Sequence, residues 1–229
     1  MTETRRIGGD TAKLEGRTLK GYAIVYNSLS RDLGGFVERF MPGSITETIR
    51  SGTIEAWLYH DSSLPIGSQA AGTLRLWEDA KGMPYELDLP DTTYANDFAV
   101  LAQRGDVGGT SFGFRPVPNG GERWLRANGE NVREIIKADI GHIAPVITPA
   151  YAATTANLRS LHNEETLEAA DFYGIDLKKL TNIFVARSKG LTITNDERQV
   201  AREAIKQLKP YLAMSALDVA ELKASKILI

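Results

Sequence analysis

One serine and two histidines are the residues whose types could carry out nucleophilic hydrolysis, namely Ser111, His60 and His142. Serine hydrolysis needs a nucleophilic hydroxyl, a base beside it, and a third group that orients the base. The third group is usually a carboxylate, but a second histidine can take part in the same hydrogen bond. These residue types therefore predict nucleophilic catalysis if the fold brings them together.

The candidate nucleophile Ser111 lies among glycines, in the segment GGTSFGF (residues 108–114). Glycines on both sides of a serine let the backbone turn tightly and let a substrate approach closely. The segment differs from the Gly-x-Ser-x-Gly elbow of the α/β-hydrolases. Taken alone, it is more often a strand serine beside a bulge glycine than a nucleophile.

The chain contains three histidines, and two of them follow or lie in predicted strands. His60 comes at the end of a predicted strand, where a side chain can be exposed for catalysis. His142 lies in the strand-like segment DIGHIAPV (139–146), and His162 lies in a polar stretch where we expect it to be exposed to solvent. On local sequence alone, a surface or hydrogen-bonded structural histidine is the commoner explanation for His60.

The elements that must position these residues are short strands over the first two thirds of the chain. Apolar alternation and glycine-rich turns predict strands over 18–26, 36–40, 53–60, 72–78, 83–89, 109–117, 122–126, 133–137 and 140–147. Short helices are predicted over 42–50 and 92–104, closed by Gly52 and Gly105. Many strands at short spacing with flanking helices predict an α+β fold, mainly an antiparallel β-barrel.

The composition and the spacing of apolar residues change near residue 160. This change divides the chain into a predicted barrel domain (1–160) and a helical segment (161–229). Helical spacing of apolar residues predicts helices over 164–173, 177–188, 196–214 and 217–226. Thr194 or Asn195 is the expected cap of the third. The apolar stripe Leu177, Leu180, Ile183 and Phe184 would suit either a partner helix or packing on the barrel.

Composition excludes several classes of protein. The 229 residues carry 27 Lys and Arg against 29 Asp and Glu, so a general nucleic-acid binder is not expected. The chain has no cysteine, so it can form no disulfide, thiolate zinc site or cysteine nucleophile, and a reducing compartment is expected. No apolar window approaches the roughly 18 residues that span a bilayer, and no secretory signal is recognised, so no membrane partner is expected.

An ordered set of segments resembles the prohead (capsid maturation) serine proteases of tailed phages, over about residues 19–159. The segments are GYAIVYN (21–27), VERFMPGS (37–44), LYHD (58–61) followed by PIG (65–67), LPDT (89–92), SFGF (111–114) and TPAY (148–151). The family is similar in fold and mechanism to the herpesvirus assembly proteases, which use one serine and two histidines. The resemblance implies that Ser111 is the nucleophile, His60 the general base and His142 the third member, with no cofactor or metal.

At the third position many phage members carry a glutamate, whereas this chain has His142. Asp139 and Asp61 are therefore alternative third members. One alternative function is a non-catalytic capsid-assembly module with the same fold. Another is a metal hydrolase that uses His60, Asp61 and His142, although the chain has no compact motif such as His-Glu-x-x-His.

The resemblance also implies partners and a location. The expected substrates are the scaffolding protein or the scaffold segment of the major capsid protein, and the protease itself, which could also form a homodimer. The expected location is the host cytoplasm, with packaging inside the immature capsid. The helical segment 161–229 would then serve as a targeting tail, an autocleaved segment or a dimerisation element.

Overall fold

The computed structural model describes residues 3–5, 12–107, 109–146 and 164–211, which form a mixed α+β protein with three sheets and five α-helices. The strands are β1 (Glu3–Arg5), β2 (Lys13–Glu15), β3 (Thr18–Val25), β4 (Val37–Phe40), β5 (Glu55–Trp57), β6 (Pro65–Ser68), β7 (Leu74–Leu76), β8 (Gly82–Asp88), β9 (Gly109–Pro116), β10 (Glu122–Ala127), β11 (Glu130–Ile135) and β12 (Ala138–Val146). The helices are α1 (Thr46–Ser51), α2 (Thr93–Arg104), α3 (Glu164–Phe172), α4 (Leu177–Ser188) and α5 (Asn195–Leu208).

The five-stranded sheet has the order β1-β9-β12-β5-β6. Its pairings are antiparallel except for β5 with β12, which run parallel with Glu55 opposite His142. The four-stranded sheet has the order β2-β3-β8-β7, with antiparallel pairings, and the three-stranded sheet has the order β10-β11-β4. The predicted antiparallel character is therefore confirmed for most pairings, and β5 with β12 is the exception.

The predicted barrel is not confirmed, since no closed barrel is found among the described residues. Closure requires the first and last strands of a sheet to pair with each other. In the part of the chain that the structure describes, the five-stranded sheet instead ends on β1 and β6, and the four-stranded sheet ends on β2 and β7. The α+β class is correct, and its strands form three separate sheets.

The alternation of side chains along β9 explains which of them enter the core beneath the five-stranded sheet. Because successive side chains of a strand point to opposite faces, Phe112 and Phe114 share one face and Ser111 and Gly113 share the other. Both phenylalanines are fully buried and pack edge-on against Phe40, with ring centroids 5.3 and 5.0 Å apart. Burial of each ring stabilises the fold by about 1.5–3 kcal/mol. The core therefore fixes the face of β9 on which Ser111 lies.

The described residues belong to two compact units of the chain. The first consists of Met1–Arg31, Glu38–Arg123 and Glu134–Tyr151, and the second of Asp32–Val37, Trp124–Arg133 and Ala152–Ile229. The first unit contains all of β9, β12 and β5, and the second contains α3, α4 and α5. The candidate residues Ser111, His60 and His142 all belong to the first unit.

The second unit has a hydrophobic core of its own, formed largely by α4 and α5. In the predicted apolar stripe, Leu180 and Ile183 are buried in this core, and Leu177 and Phe184 are partly buried against it. The stripe is therefore covered within the second unit. Thr194 caps α5 in a capping box, because its hydroxyl accepts from the Glu197 amide while the Glu197 carboxylate accepts from the Thr194 amide. The helix predicted over 217–226 lies outside the described residues.

No helix in the described ranges combines the length and the apolar character that crossing a bilayer requires.

Candidate active site

Ser111, His60 and His142 form one continuous row of hydrogen bonds. Oγ of Ser111 lies 2.7 Å from Nε2 of His60, and Nδ1 of His60 lies 2.8 Å from Nε2 of His142. The three residues are far apart in sequence, yet β9, β12 and the segment after β5 bring their side chains together. Both nitrogens of the central imidazole are thus engaged, one by a hydroxyl and one by a second imidazole.

Ser111 lies on β9, which pairs with β12 and is also anchored on its core face. Ser111 is fully buried and is opposite Ala144 of β12 in the antiparallel pairing. On the core face, the hydroxyl of Thr110 lies 2.6 Å from the hydroxyl of Tyr85, which is itself 1% exposed. A buried bond between two hydroxyls that are removed from water fixes the strand position. The strand is therefore anchored on its core face at the residue before Ser111.

A left-handed turn carries His60 toward Ser111. The expected strand over 53–60 ends at Trp57, and a short 3-10 segment, Leu58–His60, follows. Tyr59 has φ 53° and His60 has φ 64°, both in the left-handed region that non-glycine residues rarely adopt. Leu58 is buried and anchors the turn. The prediction of a continuous strand to His60 is wrong, because two consecutive left-handed residues turn the chain out of the sheet.

A base at His60 requires one particular arrangement of protons along this row. For His60 to accept the hydroxyl proton of Ser111, its Nε2 must be unprotonated, so its proton lies on Nδ1. That N–H donates to Nε2 of His142, which must also be unprotonated. This arrangement requires two neutral imidazoles.

Burial favours this neutral state in both rings. Burial lowers the pKa of His60 below its ordinary value of 6.5. Burial, and secondly repulsion from a charged His60, lowers the pKa of His142 to about 4. At neutral pH both rings are therefore uncharged and able to hold the proton arrangement described above.

The ring of His142 lies between two neighbouring strands. The indole of Trp57, on β5, stacks on it with centroids 4.0 Å apart and planes 17° apart. Gly113, on β9, is opposite His142 in the strand pairing, and the imidazole lies directly over its Cα. His142 is only 6% exposed, so these neighbours screen its ring from water.

The structure does not group the acidic alternatives with His60. The Asp61 carboxylate accepts from the backbone amide and the hydroxyl of Ser63. Asp139 is exposed on β12. Within the described residues, no three or more His, Cys, Asp or Glu side chains are grouped as metal ligands. His142 is therefore the side chain placed against Nδ1 of His60. His162 and the segment 148–151 lie outside the described residues.

Sequence reasoning missed two neighbours of the site, Trp57 and Gly113. The signal for Gly113 was present in SFGF, where alternation places the serine and the glycine on one face and the two phenylalanines on the other. The signal for Trp57 was its position three residues before His60 in a predicted strand. Neither signal identified His142 as the shared neighbour, since that contact depends on the strand order.

Comparison with known proteins identifies the family of this chain. The family model of the caudovirus prohead serine proteases matches residues 5–169. No curated protein and no solved structure matches the chain. The matched range includes the whole row of Ser111, His60 and His142, and it covers well over half of the 229 residues. The chain therefore belongs to the caudovirus prohead serine protease family.

Proposed function

We propose that this chain is a serine endopeptidase of capsid maturation, with Ser111 as nucleophile, His60 as general base and His142 as the third member. The observation that carries the proposal is the hydrogen-bonded row from Oγ of Ser111 through both nitrogens of His60 to Nε2 of His142. Membership in a serine peptidase family supports the same reaction.

The row accounts for each proton of peptide hydrolysis. Oγ of Ser111 attacks the carbonyl carbon while its proton passes to Nε2 of His60, and the C–N bond then breaks as His60 returns that proton to the leaving amine. Water attacks the acyl-enzyme in the second half, giving its proton to His60, and the proton returns to Oγ as the acid product leaves. General-base assistance of this kind accelerates the reaction by about 10²–10⁴-fold.

His142 acts in this scheme as an acceptor that fixes the base. It holds the proton of neutral His60 on Nδ1, which leaves Nε2 free to accept from Ser111. When His60 becomes imidazolium, the same neutral Nε2 accepts from a charged donor, and such a hydrogen bond is about twice as strong as a neutral one. The interaction therefore strengthens as charge develops, which is the condition for catalysis.

Family membership supports a proposal for the substrates. Prohead proteases work inside an assembling capsid, so we infer that this chain cleaves the scaffolding protein or the scaffold segment of the major capsid protein, and also itself. The packaged enzyme would be made in the host cytoplasm. For the helical segment 161–229 the proposal gives three roles, which are delivery into the capsid, removal by self-cleavage, and self-association.

The test is co-expression with the capsid and scaffolding proteins, followed by intact-mass spectrometry of every product. Wild type should trim a partner or itself, and Ser111→Ala should leave all chains at full length. The matched control is Ser44→Ala, because Ser44 is another buried serine in the first unit and lies outside the row. That variant should cleave like wild type, and the fragment ends would identify the cleavage sequence.

Two other outcomes would overturn parts of the proposal. Particles that assemble while wild type and Ser111→Ala both leave every chain intact would favour the non-catalytic assembly module. Identical trimming by both proteins would move the chemistry away from Ser111.

A self-product that ends after residue 160 in wild type alone would assign the helical segment to self-cleavage.

A further inference from the structure

Gly113 lies where a side chain and the ring of His142 would compete for the same space. A Cβ built on Gly113 would lie 2.2 Å from Cε1, 2.8 Å from Nδ1 and 3.0 Å from Nε2 of His142, and these are its three nearest neighbours. Real Cβ contacts do not occur at 2.2 Å, so one of the two groups would have to move. The imidazole therefore occupies the volume that any other residue at position 113 would fill.

The backbone of Gly113 does not itself require glycine. Its φ lies outside the left-handed region that favours glycine, and it pairs with β12 opposite His142, next to the register shift between Ile140 and His142. An ordinary L-residue could adopt this strand conformation. The requirement for glycine therefore comes from the close approach of the imidazole.

Trp57 covers the ring from the other neighbouring strand. Its indole is nearly parallel to the imidazole, 17° away, at a centroid distance of 4.0 Å. The indole N–H donates to the Glu55 carboxylate at 2.8 Å, which fixes the rotation of the indole. Glu55 is also the residue opposite His142 in the parallel pairing of β5 with β12. The stacked pair is thus held by strand register and by a side-chain bond.

We infer that Gly113 and Trp57 are positioning residues that form a slot around His142 and set the ring plane in which its Nε2 meets Nδ1 of His60. The importance of this slot for catalysis rests on the proposed function. The slot controls the direction of one lone pair, and a misplacement of about 1 Å in such a group can lower a rate about 10²-fold. Neither residue carries a proton of the reaction, so both act through His142.

The groups that face His142 from the elements around it are few. His60 comes from the segment after β5, Glu55 and Trp57 come from β5, and Gly113 comes from β9. Of these, only His60 and Glu55 are titratable, and the Glu55 carboxylate is bonded to the indole. Burial is the main cause that lowers the pKa of His142, and repulsion from a charged His60 is the second.

The first test adds one methyl group at either of two glycines and compares Gly113→Ala with Gly141→Ala. Gly141 lies next to His142 on β12, and a Cβ there would meet only the Gly113 carbonyl oxygen, at 4.0 Å. With a peptide copied from the cleaved junction, Gly113→Ala should lower kcat to a degree comparable with His142→Ala and leave KM within about threefold. Gly141→Ala should leave kcat near the wild-type value. Equal losses in the two glycine variants would overturn the inference.

A double-substitution cycle separates action through His142 from a general defect of β9. In a His142→Ala background the three atoms that crowd position 113 are gone. Adding Gly113→Ala to that background should therefore cost neither further kcat nor thermal stability. An additional loss as large as in the wild-type background would show that Gly113 acts independently of His142.

The second test follows the imidazole itself and needs no activity. In a Ser111→Ala background, the pKa of His142 is measured by NMR titration of its ring protons, with Trp57→Leu compared with Trp57→Phe. Losing the indole should expose the ring, so the pKa in Trp57→Leu should rise from about 4 toward 6.5. The phenyl ring should preserve much of the lowering. An unchanged pKa in Trp57→Leu would overturn the role of Trp57.

The two sets of results distinguish the slot from the proposed reaction. If the chain cleaves nothing, the stability cycle and the NMR titration still report whether Gly113 and Trp57 hold the ring. If the chain is an active protease but neither the stability cycle nor the NMR titration shows the expected change, the inference about the slot is wrong and the proposed catalytic row is retained.

Discussion

Nδ1 of His60 and Nε2 of His142 lie 2.8 Å apart, with the second imidazole in the place where most serine hydrolases have a carboxylate. A carboxylate accepts with a full charge, whereas a neutral imidazole accepts with one lone pair in the plane of its ring. The direction of that ring therefore matters more in this protein than the direction of an acid would. Gly113 and Trp57, which flank the ring, are the residues that set this direction.

The two histidines should differ in the cost of their removal. His60→Ala removes the proposed general base and should lower kcat by about 10²–10⁴-fold. His142→Ala leaves the base in place without its acceptor and should cost less, as the third member does in other triads. Single-turnover cleavage of a junction peptide measures both losses. A larger loss for His142→Ala than for His60→Ala would contradict the assigned roles.

The pH dependence of kcat/KM should have an acid limb whose midpoint lies below pH 6.5. His60 must be neutral to act as a base, and burial lowers its pKa from 6.5, so activity falls as pH drops through this lowered pKa. Below about pH 4, protonation of His142 should steepen the fall. A pH–rate profile from about pH 3.5 to about pH 9 measures this, and His142→Ala should lose the steeper section. A limb centred well above pH 6.5 would contradict the burial argument.

Stability and activity should depend on whether the residue at position 59 is branched at Cβ. Asparagine tolerates the left-handed backbone and a β-branched residue does not, while Asn and Val both remove the ring that contacts Phe98. Tyr59→Val should therefore be less stable than Tyr59→Asn by about 1 kcal/mol. It should also lose more activity, because the turn directs His60. Equal stability and activity in the two variants, from denaturation and peptide cleavage, would show that the turn is not strained.

A buried carboxylate in the first unit should make stability depend on pH. Glu134 has a side chain only 2% exposed, and Arg39 and Arg123 both donate to it. Burial alone would raise its pKa, but the bonds from Arg39 and Arg123 bring the pKa below the ordinary 4.5. Its contribution to stability is therefore present above pH 4.5 and lost as pH falls through the lowered folded-state pKa.

Glu134→Gln should reduce the free energy of unfolding by about 1–3 kcal/mol at neutral pH, with a smaller difference in acid. The control is Glu86→Gln, which removes an ion-pairing carboxylate that is 33% exposed. That surface change should cost at most about 1 kcal/mol. Urea denaturation at neutral pH and at about pH 4 measures both. Matching losses for the two variants would mean that burial of Glu134 is energetically unimportant.

Local structure was easier to predict from the sequence than the path of the chain between strands. The predicted helix over 177–188 is α4, and the predicted glycine ends of α1 and α2 are both left-handed, at Gly52 and Gly105. These signals depend on neighbours within one turn of helix. The described residues form no closed barrel, and the sequence could not show this because closure depends on which strand edges meet, which alternation within a strand does not encode.

The candidate site shows the same division. The roles of Ser111 and His60 were assigned from a resemblance, and the sequence left His142, Asp139 and Asp61 open as third members. The choice depends on side chains that approach across 82 residues of sequence. The turn at Tyr59 was missed because tyrosine has no preference for the left-handed region, so only tertiary contacts account for it.

The register of the five-stranded sheet determines where this protein can tolerate insertions. One residue added inside β9 or β12 would reverse the two faces beyond it and move Ser111 or His142 to the opposite side. One residue added at the turn of Asn119 and Gly120, which both have positive φ, would leave the pairing of β9 with β12 unchanged. Changes of chain length should therefore be inactivating within these strands and tolerated at that turn, so an insertion scan would outline the active site without any substitution of its residues.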